Sequence, residues 1–129
     1  MAKMAMNTGL RVHDIPLRYG LITPARNEGA FLEATVASML GQSRKPVKWV
    51  IVSDGSTDDT DVIARNHAAR SDWIEFVRMP DHSDRQFAAK VRAFSAGYEF
   101  VRSVPHDIVG NLDADLTFEP DYFEFLLAR

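Results

Sequence analysis

Apolar positions in this chain come as short continuous runs separated by stripes at helical spacing, and that alternation predicts an α/β architecture. The first run, "YGLIT" at Tyr19–Thr23, meets Pro24 and the turn-like "ARNEG", a short strand followed by a loop. Leu32, Val36, Met39 and Leu40 then recur at helical spacing, and Gly41 is expected to close that helix as its C′ residue. In "VKWVIVSDGS" the run Val50-Ile51-Val52 is rich in β-branched residues, as a strand buried on both faces should be. Ser56 or Thr57 is expected to cap a second helix, with Asp58, Asp59 and Asp61 complementing its N-terminal dipole. "WIEFVRM", with Ile74, Phe76 and Val77, reads as a third strand. A third helix, about Asp84 to Arg102, carries Phe87, Val91, Phe94, Tyr98 and Val101 as its apolar stripe. "HDIVGNL" is the fourth strand, and Glu119 to Ala128 forms a last helix that looks incomplete.

Strands alternating with helices predict a mostly parallel sheet covered on both faces. With strand order 3-2-1-4, the order reverses between strands one and four, and ligands bind beyond the carboxyl ends of the strands at such a point. The loops concerned are "PARNEG", "SDGST" and "LDADL", so the topology gathers Asp54, Asp113 and Asp115 around one crevice.

Bulk properties narrow the field without choosing a function. The chain has 129 residues, 46% hydrophobic and 26% charged, enough for one globular core. A formal net charge of −3 gives no basic face for nucleic acid or an anionic membrane, so no nucleic-acid partner is expected. There is no cysteine, which excludes disulfides and thiolate metal sites. No apolar stretch approaches the roughly 20 residues that span a bilayer. Residues 1–18 lack periodicity and are read as an N-terminal arm or tail, with the functional part at residues 19–129.

Most of the chemistry sits in "IVGNLDADLTFEP". Two unit charges 4 Å apart at an effective dielectric of 20 repel by about 4 kcal/mol, so a pair such as Asp113 and Asp115 calls for a cation. Mn2+ and Mg2+ are commonly held by one or two carboxylates together with phosphate oxygens and water. A strand-end turn rich in aspartate is the plainer reading of the same spacing, and the switch-point position favours the metal. Asp54, followed by Gly55, could accept a hydrogen bond from the imide-like N–H of a base, or serve only a helix-entry turn. Pro24 to Glu28 offers backbone groups to a flat ligand, and Arg26 could meet a phosphate or lie in water. Lys90 falls off the apolar stripe of the third helix, facing either a phosphate or solvent. His82 stands alone in a polar loop, no H-x-x-H spacing supports zinc, and neither G-x-G-x-x-G nor a P-loop is present.

Four segments, "LITPARNEGAFLEATVASMLGQS", "WVIVSDGSTDDT", "AAKVRAFSAGY" and "IVGNLDADLTFEPDYF", resemble in order and spacing the donor half of family 2 glycosyltransferases. The resemblance runs from about residue 19 to the end. It implies a Rossmann-like GT-A nucleotide-diphospho-sugar transferase fold, incomplete at its C-terminus, and inverting transfer from a nucleotide-diphosphate sugar, UDP- or GDP-linked, to an acceptor hydroxyl. It places Pro24, Ala25, Asn27 and Glu28 in the loop that holds the nucleoside and Asp54 at the base. Lys90 falls near the donor phosphates, Asp113 near the ribose or sugar, and Asp115 on the metal, Mn2+ or Mg2+. Ala89 and Ser95 stand where the family often has Gly and Asn, a departure around Lys90. The resemblance puts the general base in the second half of the domain, beyond Arg129, and implies action in the cytoplasm or at the cytoplasmic face of a membrane.

Two other readings remain open from the sequence. "DADLT" fits the D-x-D-x-T of haloacid-dehalogenase-like phosphatases, with Asp113 as nucleophile and Asp115 as acid/base, although that motif belongs after a first strand. A non-catalytic nucleotide-binding module is the other, in which an apolar face left by a missing C-terminal half drives self-association or binds a partner.

Overall fold

The computed structural model describes residues 17–80 and 86–128. Four strands, β1 (Tyr19–Ala25), β2 (Lys48–Ser53), β3 (Ile74–Arg78) and β4 (Ile108–Asn111), alternate with helices α1 (Gly29–Leu40), α2 (Thr60–Arg70), α3 (Gln86–Val101) and α4 (Tyr122–Leu126). All pairings are parallel, as the alternation predicts, and the order is β3-β2-β1-β4, the one taken above to place the crevice. The N-terminal arm read at residues 1–18 falls almost wholly outside the described residues, as do His82 and the expected start of α3 at Asp84.

Period-two alternation splits the strand side chains between two cores. On one face Leu21, Trp49, Ile51 and Ile74 pack with Leu32, Val36 and Met39 of α1, Ala64 of α2 and Phe123 of α4. On the other, Ile22, Val50 and Val52 pack with Ala93 and Val101 of α3. Trp49 is fully buried and its indole N–H donates to Thr23 Oγ1 at 2.8 Å, so its polar tip costs nothing. The step from β3 across the sheet to β4 reverses the direction of winding, which puts α3 on the opposite face from α1 and α2.

Four local expectations are corrected. Gly41 does end α1, but as the C-cap itself with φ −86°, a right-handed conformation that needs no glycine. Helix α2 begins at Thr60, later than a cap at Ser56 or Thr57 allows. The intervening turn is tied instead to the loop after β1, and Asp58 accepts from Thr60 N at 2.9 Å. The third correction is the largest. Of the expected stripe on α3, Phe87 is 80% exposed, Val91 and Tyr98 are also exposed, and only Val101 is fully buried. The face against the sheet is Ala89, Ala93, Gly97 and Val101. Small residues win there because the helix lies too close for large ones: a Cβ on Gly97 would sit 2.6 Å from Ile22 Cγ2. The last helix is also shorter than expected, a single turn and a half at Tyr122–Leu126.

Candidate functional site

Beyond the carboxyl ends of β1, β2 and β4 lies a cavity of about 470 Å³. Its walls are Pro24, Ala25, Arg26 and Glu28 after β1, Asp54 after β2, Ala89, Lys90 and Ala93 from α3, and Asp113, Ala114 and Asp115 after β4. Of the residues singled out from the sequence, Pro24, Ala25, Glu28, Asp54, Lys90, Asp113 and Asp115 therefore share one crevice, with Arg26 beside them. Asn27 does not line it.

Each wall has a local cause. The ladder continues one residue past β4, with Leu112 N donating to Ile22 O at 2.9 Å, and a turn at Ala114 and Asp115 follows. Leu112 and Ala114 turn inward and are buried, while Asp113 and Asp115 turn outward and line the cavity. Thr35 of α1, buried in the midst of an apolar stripe, donates its hydroxyl to Ala114 O at 2.8 Å and fixes the residue between them. Asp54 N donates to Ala25 O at 2.9 Å, joining the ends of β1 and β2. The Asp54 side chain is 7% exposed, and Gly55 follows at φ +73°, a conformation that glycine adopts without penalty. On α3 the small residues Ala89 and Ala93 let the helix approach closely and carry Lys90 to the rim.

Sequence reasoning did not single out the polar side chains that hold these walls. Buried Gln42 donates its amide to Glu119 O at 2.6 Å and accepts from Phe123 N at 3.1 Å. Ser38 Oγ accepts from Phe118 N at 3.1 Å. Thr35 and Ser38 of α1 and Gln42 just past its end together secure the segment that follows the aspartates. The available signal was Thr35 itself, a hydroxyl among Leu32, Val36 and Met39.

Four carboxylates, Glu28, Asp54, Asp113 and Asp115, and two cations, Arg26 and Lys90, line the cavity. Burial raises the Glu28 carboxyl above the usual glutamate range; Asp115, Asp113 and Asp58 add to the rise, and Lys90 opposes it. The folded chain thus binds this proton more tightly than the unfolded one, so stability is lost as pH rises through the range just above the ordinary glutamate value. Glu28→Gln is expected to leave stability unchanged near pH 4 and to raise it at pH 7, by less than about 1 kcal/mol given solvent screening. Thermal melts of both proteins across that range check this; parallel curves would contradict it.

The model of Glycosyl transferase family 2 matches residues 21–129. The chain belongs to that family. The 4,4'-diaponeurosporenoate glycosyltransferase of Staphylococcus aureus (strain MRSA252) is 32% identical over 98 residues, which is 76% of this chain and 24% of that relative. The chain thus spans about a quarter of the length of the curated relatives it matches. Among solved structures, S. aureus TarS 1–349 in complex with UDP superposes with a TM-score of 0.66 at 17% identity, over 87% of this chain and 31% of that one. The mannosyltransferase PcManGT from Pyrobaculum calidifontis, in complex with GDP-Man and Mn2+, gives 0.64 at 22% identity, over 82% and 30%. Glucosyl-3-phosphoglycerate synthase from Mycobacterium tuberculosis, with Mn2+, UDP and glucosyl-3-phosphoglycerate, gives 0.59 at 20% identity, over 95% and 44%. These likenesses, together with the sheet order, show the GT-A fold. Family membership disfavours the phosphatase reading of "DADLT", and Asp113 follows the fourth strand, after three strand–helix units.

Proposed function

We propose that this chain binds the nucleoside diphosphate of a sugar donor, uridine- or guanosine-linked, as the donor half of an inverting glycosyltransferase. The observation that carries the reading is the convergence of three strand-end loops and Lys90 on one cavity at the switch point. In this reading Asp54, nearly buried at the end of β2, accepts the N–H that lies between two polar groups on uracil or guanine. Pro24 and Ala25 present backbone to the flat base, and Lys90 answers the phosphates from the opposite wall.

The donor set fits Mn2+ or Mg2+. Among the described residues no three His, Cys, Asp or Glu side chains converge closely enough to hold a metal ion by themselves. Asp113 and Asp115 are outward-facing carboxylates able to supply one side of a hard ion's shell, with phosphate oxygens and water completing it. Asp115 is the direct ligand in this scheme and Asp113 its neighbour beside the sugar. When bound, such an ion supplies charge stabilisation for the departing nucleotide diphosphate. Lys90 adds a fixed positive charge to the same end of the donor, and Glu28 and Asp54 hold the nucleoside end in register.

The donors named for the solved relatives, UDP-GlcNAc and GDP-Man, support the two nucleotide classes without choosing between them. No helix among the described residues is long and apolar enough to cross a membrane. The reading takes the protein to act on the cytoplasmic side, where nucleotide sugars are made. Isothermal calorimetry of the chain with UDP and with GDP, in MnCl2 and in EDTA, tests it. Binding of one of them that weakens at least about tenfold in EDTA is expected; binding of equal strength without metal overturns the metal scheme, and no binding overturns the whole reading.

A further inference from the structure

Asn27 is the one residue of the nucleoside loop that turns away from the cavity, and its bonds explain why. Its Oδ1 accepts from Thr57 N at 2.8 Å, Asp58 N at 3.3 Å and Thr57 Oγ1 at 3.3 Å. Its own N–H donates to Ser56 Oγ at 3.1 Å. To make both sets of bonds the residue takes φ +53°, a left-handed conformation that asparagine tolerates better than most side chains. The two residues that follow continue the seam. Glu28 N donates to Thr60 Oγ1 at 2.8 Å and Gly29 N to Asp58 Oδ2 at 2.9 Å. Asp58 also accepts from the Thr60 hydroxyl and N–H, and these bonds, led by the hydroxyl, hold its carboxyl below the usual aspartate range. The loop after β1 is thereby laced to the turn after β2 by polar bonds, with apolar packing left to the sheet below.

That seam joins the carriers of the two nucleoside-side walls. Arg26 and Glu28 flank Asn27, and Asp54 lies two residues before Ser56. We infer that Asn27 is a positioning residue that sets the spacing between Glu28 and Asp54 and touches no ligand itself. The inference rests on the nucleotide-binding reading above and deepens it: the acceptor oxygen of the Asn27 amide is what matters, and its NH2 group is dispensable.

Two substitutions separate that role from a ligand contact. Asn27→Gly keeps the left-handed backbone without strain and deletes the acceptor. Asn27→Asp keeps an acceptor and deletes the donor. With UDP and GDP as probes in MnCl2 at about 0.15 M salt, where surface charge is screened, Asn27→Gly is expected to bind at least tenfold more weakly than the parent chain. Asn27→Asp is expected to stay within about threefold. Amide hydrogen exchange at Thr57 and Asp58 should quicken at least tenfold in Asn27→Gly and hold in Asn27→Asp. Full affinity in Asn27→Gly overturns the inference, and so does equal loss in both variants with the two amides still protected, which is the signature of a ligand contact. Should Asn27→Gly yield no folded protein, Asn27→Ser, whose shorter side chain withdraws the acceptor from Thr57 N and Asp58 N, takes its place; a loss of at least threefold is expected, and unchanged affinity there overturns the inference. Failure of the unsubstituted chain to bind either nucleotide is a different result, since it sinks the functional reading first and the positioning role with it.

Discussion

Replacing Asp115 with asparagine is expected to weaken Mn2+-dependent nucleotide binding by roughly 10²-fold and to leave the melting temperature of the ligand-free chain unchanged or slightly raised. The two halves of this expectation come from the same feature. Asp115 is exposed and lines the cavity, so its carboxylate contributes little to packing. Its negative field is one of the causes that raise Glu28, and removing it relieves repulsion in the empty site. Against a bound cation the balance reverses. A unit charge 4 Å away at an effective dielectric of 20 is worth about 4 kcal/mol, and desolvation offsets part of it. A net loss near 3 kcal/mol is about two orders of magnitude in affinity. The matching change at Asp113 should cost less, since the scheme puts it beside the sugar. Calorimetry with UDP or GDP in MnCl2 measures both variants. An Asp115→Asn protein that binds as tightly as its parent would exclude Asp115 as the metal's ligand.

Gly97→Val is expected to destabilise the fold by about 2–3 kcal/mol, which for a domain of this size lowers the melting temperature by roughly 5–12 °C. The first added carbon meets Ile22 Cγ2 at 2.6 Å and Val52 Cγ2 at 3.1 Å, both from fully buried side chains. Both neighbours are fully buried and β-branched, so either they or the helix must shift. Gly97→Ala adds only that first carbon and gains up to about 1 kcal/mol in helix propensity, so a smaller loss is expected. The graded pair distinguishes overpacking from any special demand for glycine, because Gly97 takes an ordinary helical conformation and the only positive-φ glycine among the described residues is Gly55. A shift of α3 also moves Lys90, two turns away on the same helix, so nucleotide affinity should fall along with stability. Denaturant melts and calorimetry on the same preparations read both effects; a Val variant as stable as its parent would contradict the packing argument.

The sheet was legible because its signals are local and redundant. Val50-Ile51-Val52 is continuous and β-branched, turn residues bound each run, and four strands alternating with helices leave few topologies. The cavity followed from that topology, since the strand ends carry Asp54, Asp113 and Asp115 into one crevice whatever the loops do in detail. What escaped was whatever depended on distance between elements. The stripe Phe87, Val91, Phe94 and Tyr98 has the right period for a buried face, yet spacing along a helix says nothing of how near the sheet will come. Ala89, Ala93 and Gly97 decide that, and small residues give a weak hydrophobic signal. The turn before α2 failed for another reason. "SDGSTDDT" offers several capping residues in a row, but Ser56, Thr57 and Asp58 are engaged by Asn27, some thirty positions earlier, and Asp59, which stands at the N-cap, makes no side-chain cap bond. The resemblance likewise assigned Asn27 to the nucleoside loop by position, with no means of telling which way its amide faces.

Helix α1 has a consequence for how the cavity can change shape. Its first turn follows Glu28 on one rim, and Thr35 and Ser38 further along, with Gln42 just past its end, hold Ala114 of the other rim and Phe118, Glu119 and Phe123 beyond it through four hydrogen bonds. At about 0.5–1.5 kcal/mol apiece, these bonds make separate swinging of the two rims costly. The rims after β1 and β4 are thus tied to one helix, which leaves the wall that bears Lys90 as the side with the fewest such ties to them.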